Sequence, residues 1–269
     1  MNNKTYKCLI AVPARLESKR LPNKVLKDIN GKPMLRRVLD KCSDCKVEAK
    51  VIVCTDSEEI KKSVNEWGYE IKLTSKNCNS GSQRIASVID ELVLQSWGLK
   101  KDNYQEKILE EILDNTLVIN VQGDQPFVDP NLLSKIYKIF IKNPQFQVIT
   151  PVYKLNKEDI HNPNIVKIAA STSNKNNMEA IYFSRSPIPY GAEIYYEHIG
   201  IYIYKRDALD RFTSLEPSSL EKEENLEQLR ALQNSLKINL ILTDDEIISI
   251  DTLDDVERLM KASQGGDDI

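Results

Sequence analysis

The residue of this chain best placed to do chemistry is a lone aspartate at the end of an apolar run. It is Asp124, in Asn120-Val121-Gln122-Gly123-Asp124-Gln125-Pro126. Thr116-Leu117-Val118-Ile119 ahead of it reads as a buried strand. Gly123 lets the backbone turn tightly, and Pro126 ends further strand pairing. In an open α/β sheet, ligands sit just beyond the C-terminal ends of the strands. A carboxylate there suits a divalent cation that carries phosphates, because Mg²⁺ takes hard oxygen ligands and often only one or two protein carboxylates. The bland alternative is an aspartate that caps the following turn, and these seven residues leave both readings open.

A second group strengthens the first reading. Residues 13–32 carry Arg15, Lys19, Arg20, Lys24, Lys27 and Lys32 against only Glu17 and Asp28. The chain as a whole has a net charge of −3. A local positive patch on an acidic chain points to a small polyanion and argues against general nucleic-acid binding.

These residues need elements to hold them. Lys7 to Val12 reads as a buried strand ending at Pro13. If it runs parallel to the strand before Asp124, the basic loop after it reaches the same edge. A helix is expected over Met34 to Lys41, opened by Pro33, and a strand over Lys50 to Thr55. Ser57 should cap a helix through Trp67, with Glu58 and Glu59 in its first turn. Glu70 to Leu73 reads as a short strand, Ser82 to Ser96 as helical, and Gly98 to Asp114 as a surface loop and helix. Asn131 to Ile141 follows as a helix and Gln147 to Tyr153 as a strand. Alternation of this kind through residue 150 indicates a doubly wound, mostly parallel sheet.

The pattern then changes. Val166 to Ala170, Ala180 to Phe183 and Ile199 to Tyr204 read as strands joined by loops, which suggests a smaller antiparallel section. Ser219 to Asn234 reads as one amphipathic helix carrying Leu220, Leu226, Leu229 and Leu232. Strands are expected over Ile238 to Leu242 and Ile247 to Ile250. Asp251 follows the latter, before a last helix and a Gly- and Asp-rich tail.

The chain's 269 residues and 41% hydrophobic content fit a single folded domain. No apolar run approaches the ~20 residues of a membrane span. The N-terminus lacks a signal-peptide core, and the five cysteines are an odd number, so reduced thiols and a cytoplasmic location are expected. Cys42-x-x-Cys45 falls near a helix C-terminus, where a structural role fits better than a redox one. Gly31-Lys32 lacks the remainder of a phosphate loop and reads as a turn. His198 can be a buried core histidine or a ligand contact. Glu221, Glu223, Glu224 and Glu227 can be only the solvated face of a helix. Arg185 stands at a strand end, where an arginine often fixes an anion.

Together these motifs carry a resemblance. Pro13-Ala14-Arg15, Ser18, Arg20-Leu21-Pro22, Lys24 and Ile29-Asn30-Gly31-Lys32-Pro33-Met34 resemble the opening of the 3-deoxy-manno-octulosonate cytidylyltransferases, the CMP-Kdo synthetases. Asn120 to Pro126 is similar to that family's central motif. So are Asn162-Pro163-Asn164 with Val166-Lys167, Tyr182-Phe183-Ser184-Arg185, His198 with Gly200-Ile201-Tyr202, Leu226-Glu227-Gln228-Leu229-Arg230, and Asp251-Thr252. The matches run in order from residue 8 to about 260. The chain departs from the family at Gln125, usually Glu, and at Gln83 of Gly81-Ser82-Gln83-Arg84, usually acidic. It is also shorter between Pro189 and His198 and longer over Gly98 to Asp114.

The resemblance implies a nucleotide-diphospho-sugar transferase-like fold in a single domain. Residues 1–150 would bind CTP, 151–250 the sugar and a second subunit, and 251–269 would supply Asp251. It implies transfer of CMP from CTP to the anomeric hydroxyl of Kdo, with release of pyrophosphate, for lipopolysaccharide synthesis. Asp124 and Asp251 would hold Mg²⁺, with Arg15 and Lys24 completing the catalytic set. Ala11, Pro13, Ala14, Arg15, Arg20, Lys24, Ser80 and Gln122 would face CTP. Arg84 and Arg185 would grip the sugar's carboxylate, with His198, Tyr202, Glu227 and Gln228 beside its hydroxyls. A homodimer is implied, with Tyr195 to Tyr204 at its interface. The departures leave the acceptor open between Kdo, 8-amino-Kdo and another ulosonic acid. Two rival classes are a glycosyltransferase of similar fold that binds a nucleotide-sugar, and a non-catalytic nucleotide-binding relative.

Overall fold

The computed structural model describes residues 6–17, 21–99, 106–174 and 177–244. They fall into two compact units. The first draws on Cys8–Glu106 and Asn120–Ser134, the second on Lys107–Ile119 and Lys135–Glu246.

The first unit begins with β1 (Lys7–Ala14), whose residues from Cys8 to Val12 are fully buried. A strand covered on both faces has no reason to alternate, which is why this one reads as a continuous apolar run. β2 (Asp28–Ile29) and β3 (Lys32–Pro33) form a small hairpin. Its turn is Asn30-Gly31, with φ of 50° and 79°. Both central residues are left-handed, as a tight hairpin turn of that sequence requires. α1 (Met34–Ser43) buries Met34, Leu35, Val38, Leu39 and Cys42 along one face. β4 (Lys50–Thr55) lies parallel to β1, with Leu9 opposite Lys50 and Ala14 opposite Thr55.

α2 (Glu58–Glu66) starts where expected, the Ser57 hydroxyl accepting from Ile60 N. β5 (Glu70–Leu73) is parallel to β4. The helical stretch expected over Ser82 to Ser96 is divided into α3 (Gly81–Ala86) and α4 (Ile89–Ser96). Val88, with φ of −133°, breaks the helix between them.

The second unit takes in nearly all of α5 (Glu106–Asp114) and β6 (Thr116–Asn120), and α6 (Pro130–Lys142) from Lys135 onward. β7 (Val148–Lys154), β8 (Lys167–Asn174) and β9 (Asn177–Ser184) come next, then β10 (Tyr196–His198) and β11 (Tyr202–Lys205). α7 (Arg206–Ser214), α8 (Ser219–Glu224), α9 (Gln228–Gln233) and β12 (Ile238–Thr243) complete it. The strands lie in the order β10-β8-β9-β12-β7-β11-β6. β12 runs parallel to β7, whereas β10 and β11 pair with β7 antiparallel, as β8 does with β9 and β9 with β12. The antiparallel part is therefore larger than the sequence suggests.

Two expectations are corrected here, and one helix was missed. The strand over Ile199 to Tyr204 starts only at Tyr202, as β11, and a separate strand, β10, ends before it at His198. Between them Ile201 N donates to Ile199 O, and the Thr150 hydroxyl faces the carbonyls of Ile199 and Ile201. The amphipathic helix over Ser219 to Asn234 is two helices. Asn225, at φ 56°, ends α8 in the left-handed conformation that asparagine tolerates. α7 is absent from the sequence reading. Its charge density hides the buried stripe of Ala208, Leu209 and Phe212. The strand Ile247 to Ile250, Asp251 and the last helix lie outside the described residues.

Candidate active site

In the first unit, the chain leaving β6 is drawn against β1. Val121 N donates to Ala11 O. Gly123 lies so near the Pro13 carbonyl that a Cβ there would stand 3.2 Å from its oxygen. The next residue, Asp124, is partly exposed and accepts from Lys24 Nζ at 2.7 Å through Oδ2. Lys24 is only 7% exposed. A lysine so deeply covered needs a partner, since an unpaired buried charge is costly. It opens the single helical turn Lys24–Leu26 after Asn23, which sits at φ 54°. The structure thus joins the central carboxylate to one cation of the basic loop.

Beside this pair is a polar patch. Gln122 Nε2 donates to Asn120 Oδ1 at 3.0 Å, and Asn120 Nδ2 lies 3.5 Å from Ser82 Oγ. α3 packs onto it at Gly81, where a Cβ would meet Pro13 Cγ at 2.8 Å and Gln122 Oε1 at 3.3 Å. Gly81→Ala is therefore expected to lower stability by about 1–3 kcal/mol through overpacking, read from thermal melting. An unchanged melt would mean that Pro13 yields freely.

Ala11 and Ala14 are buried in β1, and Arg15 is exposed just past its end. The Ser80 hydroxyl caps α3 by accepting from Gln83 N. Gln83 Oε1 accepts from Asn79 N, so this glutamine closes its own turn. Gln125 is buried, and its Oε1 has no hydrogen-bond partner. Arg20 and Asp251 lie outside the described residues.

Arg84 is held by partners inside the first unit. It is 3% exposed, with Nη2 donating to Asp56 Oδ2 at 2.8 Å and Nη1 to Thr74 Oγ1. Its charge is thus met by a carboxylate of the same unit.

Arg185, in the second unit, is arranged differently. Among the described residues its guanidinium donates only to backbone carbonyls, Nε to Glu224 O at 3.1 Å and Nη1 to Pro163 O at 2.9 Å. Neutral partners leave its positive charge for an incoming anion. His198 lies edge-on to Phe183 and tilted against Tyr202, each with ring centroids 5.2 Å apart. Burial pushes its imidazole down to about 3, so it is neutral at physiological pH. His198 Nε2 and Tyr202 Oη are both buried and have no hydrogen-bond partner among the described residues. Such atoms suit the hydroxyls of a ligand. Glu227 sits at the start of α9, and Gln228 beside it is 5% exposed.

The sequence reading gave no role to Lys167 or Glu224. Lys167 is fully buried, and its Nζ donates to the carbonyls of Asn162, Ile165 and Arg185 at 2.7, 2.8 and 2.5 Å. A charged residue between Val166 and Ile168 in an apolar strand was the available signal. Glu224, read as a solvated helix face, instead faces Ser184 and Arg185.

Among the described residues, no three His, Cys, Asp or Glu side chains form a metal cluster. Asp124 nevertheless fits Mg²⁺, which accepts one or two carboxylates and completes its shell with water and phosphate oxygens. No described helix is long and apolar enough to cross a membrane.

The chain is similar to known proteins over most of its length. Residues 9–238 match the cytidylyltransferase family. A 3-deoxy-manno-octulosonate cytidylyltransferase of Bartonella bacilliformis is 37% identical over 96% of this chain and 98% of its own. One from Chloroherpeton thalassium is 34% identical over 94% and 96%. A solved structure of CMP:2-keto-3-deoxy-manno-octonic acid synthetase, complexed with CTP, is 30% identical and superimposes with a TM-score of 0.79. That match covers 96% of this chain and 99% of that one.

Proposed function

Since the chain belongs to the cytidylyltransferase family, among the 3-deoxy-manno-octulosonate cytidylyltransferases, we propose that it transfers CMP from CTP to the anomeric hydroxyl of Kdo and releases pyrophosphate. The product is an activated sugar acid for lipopolysaccharide synthesis. The observation that carries the site assignment is the buried Lys24 bonded to Asp124 beside the Pro13, Asn120 and Gln122 patch. The parallel pairing of β1, β4 and β5 in the first unit supports a doubly wound arrangement, with the nucleotide at the C-terminal strand ends.

The triphosphate of CTP repels an attacking hydroxyl until its charge is balanced. Lys24, Arg15 and Arg20 supply fixed positive charge. Asp124 and Asp251 would hold Mg²⁺, which when bound polarises the α-phosphate and offsets charge on the leaving pyrophosphate. Ala11, Pro13, Ala14, Ser80 and Gln122 orient the nucleotide by backbone and amide contacts. In the second unit, Arg185 binds the acid's carboxylate. His198, neutral, exchanges hydrogen bonds with sugar hydroxyls together with Tyr202, Glu227 and Gln228. Positioning and electrostatics supply most of the acceleration.

Exposed Ile181, Tyr190 and Ile194 in the second unit are the kind of surface a second copy would cover, which supports a homodimer. The five cysteines, an odd number and all free thiols, support a cytoplasmic location.

Pyrophosphate release from CTP tests the reaction, with Kdo, 8-amino-Kdo, a sialic acid and a hexose 1-phosphate as acceptors. Kdo is expected to give the highest kcat/KM. Arg185 would lose its carboxylate partner with the hexose 1-phosphate, and a site built to pair a polar group rejects the analogue that lacks it. Preference for 8-amino-Kdo would change only the acceptor. Preference for the hexose 1-phosphate would overturn the assignment.

A further inference from the structure

We propose that Glu224 is a positioning residue that sets Arg185 for the acid's carboxylate, an inference that rests on the reading of Arg185 given above. Glu224 ends α8, a helix fixed at both ends. At its start, Ser218 and Glu221 cap each other reciprocally. Glu221 is also held by Arg230, whose Nε and Nη2 donate to its two oxygens. From the far end, the Glu224 carboxylate accepts from Ser184 Oγ at 2.6 Å and from Arg185 N at 3.0 Å. The Glu224 backbone carbonyl accepts from Arg185 Nε.

The division of labour within Glu224 matters. Its carboxylate takes a hydroxyl and a backbone N–H, and only its neutral carbonyl touches the guanidinium. Arg185 is thereby fixed without being neutralised in direct contact. Arg84 shows the contrary arrangement, with a carboxylate on its guanidinium. Lys167 holds the Arg185 carbonyl, and Pro163 O takes Nη1. Both backbone polar groups of Arg185 and two of its guanidinium nitrogens are thus committed, which fixes the plane of the fork. A planar fork fixed in this way grips a carboxylate at low entropic cost.

Steady-state kinetics with CTP and the sugar acid test this. Glu224→Ala is expected to raise the acid's KM about tenfold, as loss of charge-assisted hydrogen bonds does, and to leave the KM for CTP unchanged. Glu224→Gln can accept from Arg185 N and donate to Ser184 Oγ, so it should restore most of the loss. The double variant Glu224→Ala with Arg185→Ala should be no worse than Arg185→Ala alone. If Glu224→Ala does not fold, Glu224→Asp, one methylene shorter, carries the same comparison. An unchanged KM for the acid in the Glu224 variant, additive losses in the double variant, or no recovery with Gln would each overturn the proposal while leaving Arg185 in place. If Arg185→Ala alone does not alter the acid's KM, the assignment of the carboxylate fails first, and the role of Glu224 with it.

Discussion

Replacing Asp124 by Asn is expected to lower kcat by about 10²–10³-fold, the range found when one preorganised electrostatic contact to a transition state is lost. The change keeps the shape of the side chain. Asn Oδ1 can still accept from Lys24 Nζ, so the lysine keeps a partner and the fold should persist. What disappears is the negative charge at the only position in the Asn120–Pro126 segment that carries one. Without it a divalent cation loses a hard ligand, and the α-phosphate loses the polarisation that cation supplies. Turnover is read from pyrophosphate release across a Mg²⁺ titration, with circular dichroism as the check on folding. If added Mg²⁺ restores the parent rate, Asp124 contributes affinity for the metal alone. If the rate is within about threefold of the parent at ordinary Mg²⁺, Asp124 is not a ligand.

The second large effect is expected at Lys24. Lys24→Met keeps most of the buried stem and removes the ammonium. kcat/KM for CTP should fall on the order of 100-fold, while the KM for the sugar acid stays near its parent value. Two consequences of losing the charge act together. The triphosphate loses a fixed cation, and Asp124 loses the partner that holds it at 2.7 Å. Lys24→Arg separates them, because it restores charge with a planar fork in place of a compact ammonium. Recovery by Arg would identify charge as the requirement, and no recovery would identify the ammonium's fit beside Asp124. If the acid's KM rises and that of CTP does not, the basic loop serves the acceptor and its placement is wrong.

What could be read from the sequence was whatever is decided within a few residues. β1 and β6 are apolar runs, Asn30-Gly31 is a hairpin turn, and Ser57 caps the helix it precedes. That the basic loop reaches the same edge as Asp124 was also legible, because both follow strands, but the ion pair of Asp124 with Lys24 was not. What the sequence did not reveal shares a different cause. Nothing near Arg84 in sequence announces Asp56, which is 28 residues away. Glu224 looked like one more charge on a wet helix face, and its partners lie about forty residues back in the chain. Lys167 could be seen as an odd residue in its strand, but its purpose depends on three carbonyls gathered by the fold. The breaks at Asn225 and after His198 follow from tertiary demands that overrode a good local pattern.

The order in which the two units use the chain limits how the protein can be dissected. The path enters the second unit at Lys107, returns to the first for Asn120–Ser134, and leaves again at Lys135. The returning segment carries Gln122, Gly123 and Asp124. A fragment stopped at residue 106 would retain Lys24 but lack the aspartate it is bonded to. A fragment stopped at residue 150 would contain that aspartate, together with the first half of β7 severed from β11 and β12, the strands on either side of it. No single cut separates a nucleotide half from an acid half. During synthesis on the ribosome, the carboxylate reaches its lysine only after the first residues of the other unit have already emerged.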